Sequence, residues 1–229
     1  MNDKADILAK YRNQVICADA LDILPQLPDR SVDAVITDPV WPDTCLDLVG
    51  SDRAYELWSQ AVKEIARLTD RLVVVLGCDT DVRFLDSVPQ SLPFFRVCWL
   101  RRVPGSYRGP LFYGADVAYV FGARWLNGTD RVMGGESTAV AQTDKDPDNP
   151  HPCKRHLYHM SWLVRKFTRL NHFVLDPFCG SGSTLVAAKL ANRDYCGIDI
   201  VPEYVAYSQK RLNEPDLFHP VTPLESVAP

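Results

Sequence analysis

No apolar stretch in this chain approaches the ~20 residues needed to cross a bilayer. The start, MNDKADILAK, has no apolar run behind a basic segment, so no secretory signal is expected. C-x-x-C pairs are missing too. The seven cysteines (17, 45, 78, 98, 153, 179, 196) are scattered and odd in number, which argues against a disulfide framework or a zinc ribbon. They fit reduced thiols in a cytoplasmic compartment. A bulk positive charge is lacking: the net charge of −4 excludes binding to a polyanion through overall charge alone. There are no internal repeats. The 229 residues, 46% hydrophobic, fit one generous domain or two small ones with a real core.

What is present alternates. Short, nearly continuous apolar runs read as strands at 15–19, 33–38, 71–77, 96–100, 117–123, 172–176 and 195–199. Such runs suit buried strands of a mainly parallel sheet. Between them lie helical patterns. RAYELWSQAVKEIARLT (53–69) puts Tyr55, Trp58, Val62, Ile65 and Ala66 on one stripe. STLVAAKLAN (183–192) and EYVAYSQKRL (203–212) each follow a strand directly. Strands alternating with helices predict a doubly wound α/β fold. Residues 124–150 break the rhythm and read as a mobile functional loop or a disordered insert. The tail, 213–229, carries four prolines and is expected to lie along the surface or fray.

HFVLDPFCGSGSTLVAAKLANRDYCGIDI (172–200) holds the most specific pattern. A strand ends at Asp176, a turn carries Gly180 and Gly182, a helix opens near Ser183, and the next strand ends at Asp199. Glycines let a ligand approach the backbone, and the helix start offers free N–H groups. An acid at the end of the second strand is where a βαβ nucleotide fold meets ribose hydroxyls. The third glycine of the dinucleotide fingerprint is absent, replaced by Leu185, and no Walker lysine follows, which counts against nucleoside triphosphates. An adenosine-containing ligand is the expectation.

DPFCGSGSTLVAA is similar to the S-adenosylmethionine loop of amino-group DNA methyltransferases, and TDPVW (37–41) resembles their catalytic motif, D/S-P-P-Y/F/W. HPCKRHLYHMSWLV (151–164) resembles their His-Pro-Thr-x-Lys-Pro segment, and CADALDILPQLPDRSVDAVITD resembles the usual lead-in to the catalytic motif. Catalytic motif first and cofactor loop about 140 residues later is the circularly permuted order of the β group, which methylates adenine N6 or cytosine N4. The resemblance implies a Rossmann-like class I methyltransferase fold with a mainly parallel seven-stranded sheet and helices on both faces. It implies a single domain over 1–212, with a recognition insert at about 101–150, and a bacterial, phage or prophage setting.

The resemblance also implies roles. Asp38, the Pro39 carbonyl and Trp41 would act on a base flipped out of DNA. Asp176, Phe178, Gly180 and Gly182 would wrap the methionine portion and ribose side of S-adenosylmethionine. Asp199 would hold the ribose hydroxyls and Asp19 would sit beside the adenine. His151, Cys153 and Arg155 would reach the cofactor's carboxylate end. Cys153 and Arg155 stand where the family has threonine and lysine, and Val40 stands where it usually has proline. Asp in the first motif position favours adenine over cytosine.

Arg101, Arg102, Arg108, Arg124 and Arg131 fall in an arginine-rich stretch and could serve phosphates or guanines. VPGSYRGPLFYG (103–114) adds aromatic rings for stacking, or a hairpin loop with the rings packed beneath. So short an insert suggests a short target, a second subunit as in a homodimer, or modest specificity. His151, His156 and His159 lack the companions of a zinc set, so no metal is expected. Two other readings stay open: a non-catalytic nucleic-acid-binding partner with the same fold, and an RNA methyltransferase.

Overall fold

The computed structural model describes residues 3–42, 48–108, 110–122, 138–142 and 148–214. In chain order the elements are α1 (Asp3–Ala9), β1 (Gln14–Cys17), α2 (Ala20–Ile23), β2 (Ala34–Thr37), α3 (Ala54–Leu68), β3 (Arg71–Gly77), β4 (Phe94–Arg108) and β5 (Leu111–Gly122). They continue with β6 (Thr138–Gln142), α4 (Leu157–Phe167), β7 (Phe173–Asp176), α5 (Ser183–Leu190), β8 (Asp194–Asp199) and α6 (Pro202–Asn213). The strands form one sheet in the order β1-β8-β7-β2-β3-β5-β4-β6. Neighbours from β1 to β3 are parallel, and β5 runs antiparallel to β3 and β4. Beyond the seven expected strands, β6 adds an eighth alongside β4. It lies inside the aperiodic stretch.

Period-two alternation splits each apolar strand between two cores. Ile36, Val73, Val75 and Val174 face α4 and α5, where Met160, Leu163, Val164, Leu185 and Val186 are buried. Val35, Leu72, Val74 and Leu76 face the opposite layer, which contains Trp58, Val62, Ile65 and Leu68 of α3. A run hydrophobic at every position therefore demands a helix on each side, and the sheet gets both. Tyr55 departs from the predicted α3 stripe: it is half exposed and meets Phe84 edge-on at 5.4 Å. Ala54, Ala61 and Leu68 are buried on that face as well.

The described residues of 103–114 form the hairpin as paired strands, with Tyr107 and Phe112 exposed instead of packed beneath it. β4 and β5 extend past a register shift between Arg101 and Ser106 and pair again at Tyr107↔Phe112. A Cβ on Gly114 would come within 2.7 Å of the Phe112 ring, so glycine there makes room for that ring. Tyr107 and Phe112 meet edge-on at 5.3 Å and remain largely exposed.

The connections fix where a site can form. From β7 the chain crosses through α5 to β8 on one side; from β2 it crosses through α3 to β3 on the other. The direction of winding reverses between β7 and β2. In open α/β sheets a crevice opens at such a point, outside the carboxyl ends of the strands.

Candidate active site

Four carboxylates stand at that edge. Asp19 follows β1, Asp199 ends β8, Asp176 ends β7 and Asp38 follows β2, and all four line one cleft of about 710 Å³. Phe178, Gly180, His151, Cys153, Arg155, Pro39 and Trp41 line it too. Gly182 lies just behind, as the N-cap of α5.

Asp176 is buried at the switch point. Thr37 donates its hydroxyl to Asp176 Oδ1 at 2.8 Å, and the Phe178 N–H donates to the same oxygen at 3.2 Å. Burial pushes its carboxyl up to about 7, against the pull of hydrogen bonds from Thr184, Thr37 and Phe178. Because the folded pKa lies above the unfolded one, the associated stability is full below about pH 4 and is lost as pH rises through about 7. Asp176→Asn keeps an acceptor for Thr37 and removes the titration. Between pH 4.5 and 8, thermal melts of ligand-free protein should show wild type losing stability relative to this variant as pH rises. Parallel curves would mean that Asp176 does not titrate in this window.

Asp199 organises the glycine turn. Its oxygens accept the N–H groups of Gly180 (2.8 Å) and Val201 (2.9 Å), and burial raises its pKa. Gly180 and Gly182 adopt φ of +49° and +77°, in the region that favours glycine. A Cβ on Gly180 would meet the His151 ring at 2.9 Å, so the histidine lies directly over the turn. That ring packs 4.6 Å from Tyr204, and its Nδ1 accepts the Cys153 N–H at 3.1 Å. Burial pushes His151 down to about 4, so it is neutral at pH 7. Asp19 caps α2 through the Leu21 N–H at 2.9 Å. Arg211 of α6 is buried and donates to the Ser181 carbonyl (2.6 Å) and the Ser183 hydroxyl (3.1 Å), bracing the turn from behind. Sequence reasoning placed Arg211 on a helix but gave it no role.

This chemistry fits S-adenosylmethionine. Acids with unused lone pairs match hydroxyl and ammonium groups, the cleft is large enough, and Gly180 leaves the backbone approachable.

On the β2 side, Trp41 donates Nε1–H to Asp38 Oδ1 at 3.0 Å and to the Val75 carbonyl at 3.3 Å. Val40 packs against the α3-side core. Arg155 is held by two carboxylates of the protein. Its Nε donates to Asp38 Oδ2, its Nη2 to Asp38 Oδ1 at 3.3 Å, and its Nη1 to Asp116 Oδ2 at 2.8 Å. Its guanidinium lies 4.4 Å from the centre of the Trp41 ring. Asp116, deeply buried on β5, also pairs with Arg102 at 3.1 Å. Burial raises the Asp38 pKa while Arg155 pulls it down. Burial lowers the Arg155 pKa, but Asp38 and Asp116 outweigh it and the net shift is upward. Asp116 is a residue the sequence reading passed over: an isolated acid in a strand gives no local signal.

The arginines expected on nucleic acid divide. Arg101 is exposed on β4, whereas Arg102 turns onto Asp116. Arg108 lies at the end of β4; Arg124 and Arg131 lie outside the described residues. His159 is buried with Nε2 2.8 Å from the Arg101 carbonyl. Among the described residues no group of three or more His, Cys, Asp or Glu could hold a metal ion, and no helix is long and apolar enough to cross a membrane.

Comparisons with known proteins agree with this layout. The chain is 26% identical over 214 residues to YubD of Escherichia coli K12, described as a methylase, covering 87% of this chain and 90% of that one. It is 22% identical to the type II methyltransferase M.HinfI of Haemophilus influenzae, covering 89% and 69%. Two solved structures share the Rossmann-like methyltransferase fold. The M1.HpyAVI–SAM complex has a TM-score of 0.68 at 22% identity, over 88% of this chain and 99% of that one. The cytosine-N4-specific PvuII DNA methyltransferase has 0.69 at 16% identity, over 89% and 87%. The family model described as DNA methylase, for N6 and N4 amino-methylation, matches residues 32–210, and the chain belongs to that family: it is an S-adenosylmethionine-dependent DNA methyltransferase acting on adenine N6 or cytosine N4.

Proposed function

We propose that the base is adenine, methylated at N6, and that Asp38, Pro39 and Trp41 act on it. An exocyclic amine is a poor nucleophile because its lone pair is delocalised into the ring. The Asp38 carboxylate accepts one N–H and the Pro39 carbonyl the other, which localises the lone pair and stabilises positive charge developing on nitrogen. Trp41 stacks on the flipped base, a contact worth ~1–3 kcal/mol. S-adenosylmethionine supplies the activated methyl group. Asp176, Phe178, Gly180 and Gly182 wrap its methionine and ribose side, Asp199 takes the ribose hydroxyls, and Asp19 lies beside its adenine. His151 and Cys153 close the carboxylate end.

The observation that carries this reading is Asp38 and Trp41 side by side, joined at 3.0 Å, in the same cleft as the Asp176–Asp199 glycine turn. Asp rather than Ser in the first motif position carries the preference for adenine. Arg101 and the exposed rings of Tyr107 and Phe112 would meet the DNA. Bacterial cytoplasm is the compartment in which this substrate is found. Modified-base mapping of DNA from bacteria producing the protein should find N6-methyladenine in one short sequence context. N4-methylcytosine in its place would overturn the choice of base.

A further inference from the structure

Arg155 makes, within the free protein, the contacts that the proposed reaction reserves for a base. Two of its N–H groups donate to Asp38, and its planar guanidinium lies 4.4 Å from the centre of the Trp41 ring. A flipped base would bring the same two things, an amine for Asp38 and a flat face for Trp41. Both cannot be there together. The guanidinium also has somewhere to stay when it yields: Nη1 is already on Asp116 at 2.8 Å, a carboxylate fixed on β5 beside the end of β3. The Arg155 backbone carbonyl accepts the Ser183 hydroxyl at 2.8 Å, which anchors the main chain and leaves movement to the side chain.

We propose that Arg155 is an internal stand-in for the target base: its guanidinium occupies Asp38 and the Trp41 ring in the free protein, and on base entry it withdraws to Asp116. The inference rests on the reading that Asp38 and Trp41 receive the base. Its consequence is selectivity. Without a base, Asp38 has its charge satisfied and the aromatic face is covered, so a ligand lacking both an amine and a flat ring gains nothing by entering. A base must replace two charge-assisted hydrogen bonds and a cation–π contact to be held. The arginine at this position matters because lysine offers neither a plane nor a fork.

The experiment compares equilibrium binding of single strands of about twelve nucleotides, a length within the usual site size. Oligodeoxyadenylate and oligodeoxycytidylate are each measured against an abasic strand of equal charge. S-adenosylhomocysteine is present so that no transfer occurs. The ratio of base-containing to abasic affinity isolates base capture from phosphate contacts. Arg155→Lys removes the planar competitor and should raise that ratio about tenfold, in keeping with the worth of one stacked base. Asp116→Asn takes away the retreat, leaves Arg155 tighter on Asp38, and should lower it. Opposite signs are the signature, since loss of a merely structural ion pair would weaken capture in both variants. A wild-type ratio above one that falls or stays constant in Arg155→Lys overturns the stand-in while leaving the base site intact. A ratio of one in wild type and both variants overturns the base-site reading itself.

Discussion

Asp38→Asn should lower kcat for methyl transfer by about two to three orders of magnitude, the usual cost of removing one preorganised transition-state contact. The same change should leave cofactor affinity within about threefold, because the acids proposed to hold the cofactor belong to β7, β8 and the end of β1. The asparagine side chain keeps an oxygen but loses the charge that opposes the positive nitrogen forming in transfer, and its NH₂ is a donor where an acceptor is required. The variant should also fold. Arg155 retains Asp116, and burying an amide relieves the desolvation that raises the Asp38 pKa. Labelled-methyl incorporation into DNA measures kcat, and calorimetric titration with S-adenosylmethionine measures the cofactor. A kcat within tenfold of wild type would show that the amine's N–H is held by another group. Lost cofactor binding would show that Asp38 supports the whole cleft.

The chain's layers could be read because each rests on a local pattern. Strands buried on both faces have to be apolar along their length, and β2, β3 and β7 are, apart from Thr37, Arg71 and Asp176 at their ends. The glycine turn was legible because positive φ at Gly180 and Gly182 leaves glycine as the residue of choice. What the sequence concealed is long-range or conditional. Arg155 finds Asp38 across 117 residues, and nothing near either one announces the pairing. Asp116 meets Arg102 across the β4–β5 pair and Arg155 from the segment before α4, neither of them near it in sequence. The strand pairing that continues beyond Arg101 was obscured by glycine and proline, which ordinarily mark loops; there Gly114 makes room for the Phe112 ring. β6 has too short and polar a neighbourhood to stand out, and becomes a strand by pairing along β4. The predicted site residues gather at one edge because four of them end or follow parallel strands. Arg102 and Arg155 both turn onto carboxylates, because a charge that leaves solvent has to be paired.

The two glycines of the turn should fail in different ways when replaced by valine. At Gly180 a side chain would sit at φ +49°, strained for a β-branched residue, and would strike the His151 ring at 2.9 Å. His151 is held by Tyr204 and the Cys153 N–H, so displacing it disturbs the wall proposed for the cofactor while the two cores stay untouched. Gly180→Val should therefore weaken S-adenosylmethionine binding by about a hundredfold or more, with the smaller loss of stability, about 1–2 kcal/mol from left-handed strain. The obstruction acts through a displaced histidine as much as through filled space. Gly182 faces inward: its added Cβ would collide with the Ser208 hydroxyl and lie 2.9 Å from Ser208 Cβ, between α5 and α6. Left-handed strain and overpacking together predict a loss of about 2–5 kcal/mol for Gly182→Val. Cofactor titration and thermal melts on both variants separate the effects. Equal destabilisation would mean the turn serves packing alone, whereas intact binding in Gly180→Val would remove the cofactor from this turn.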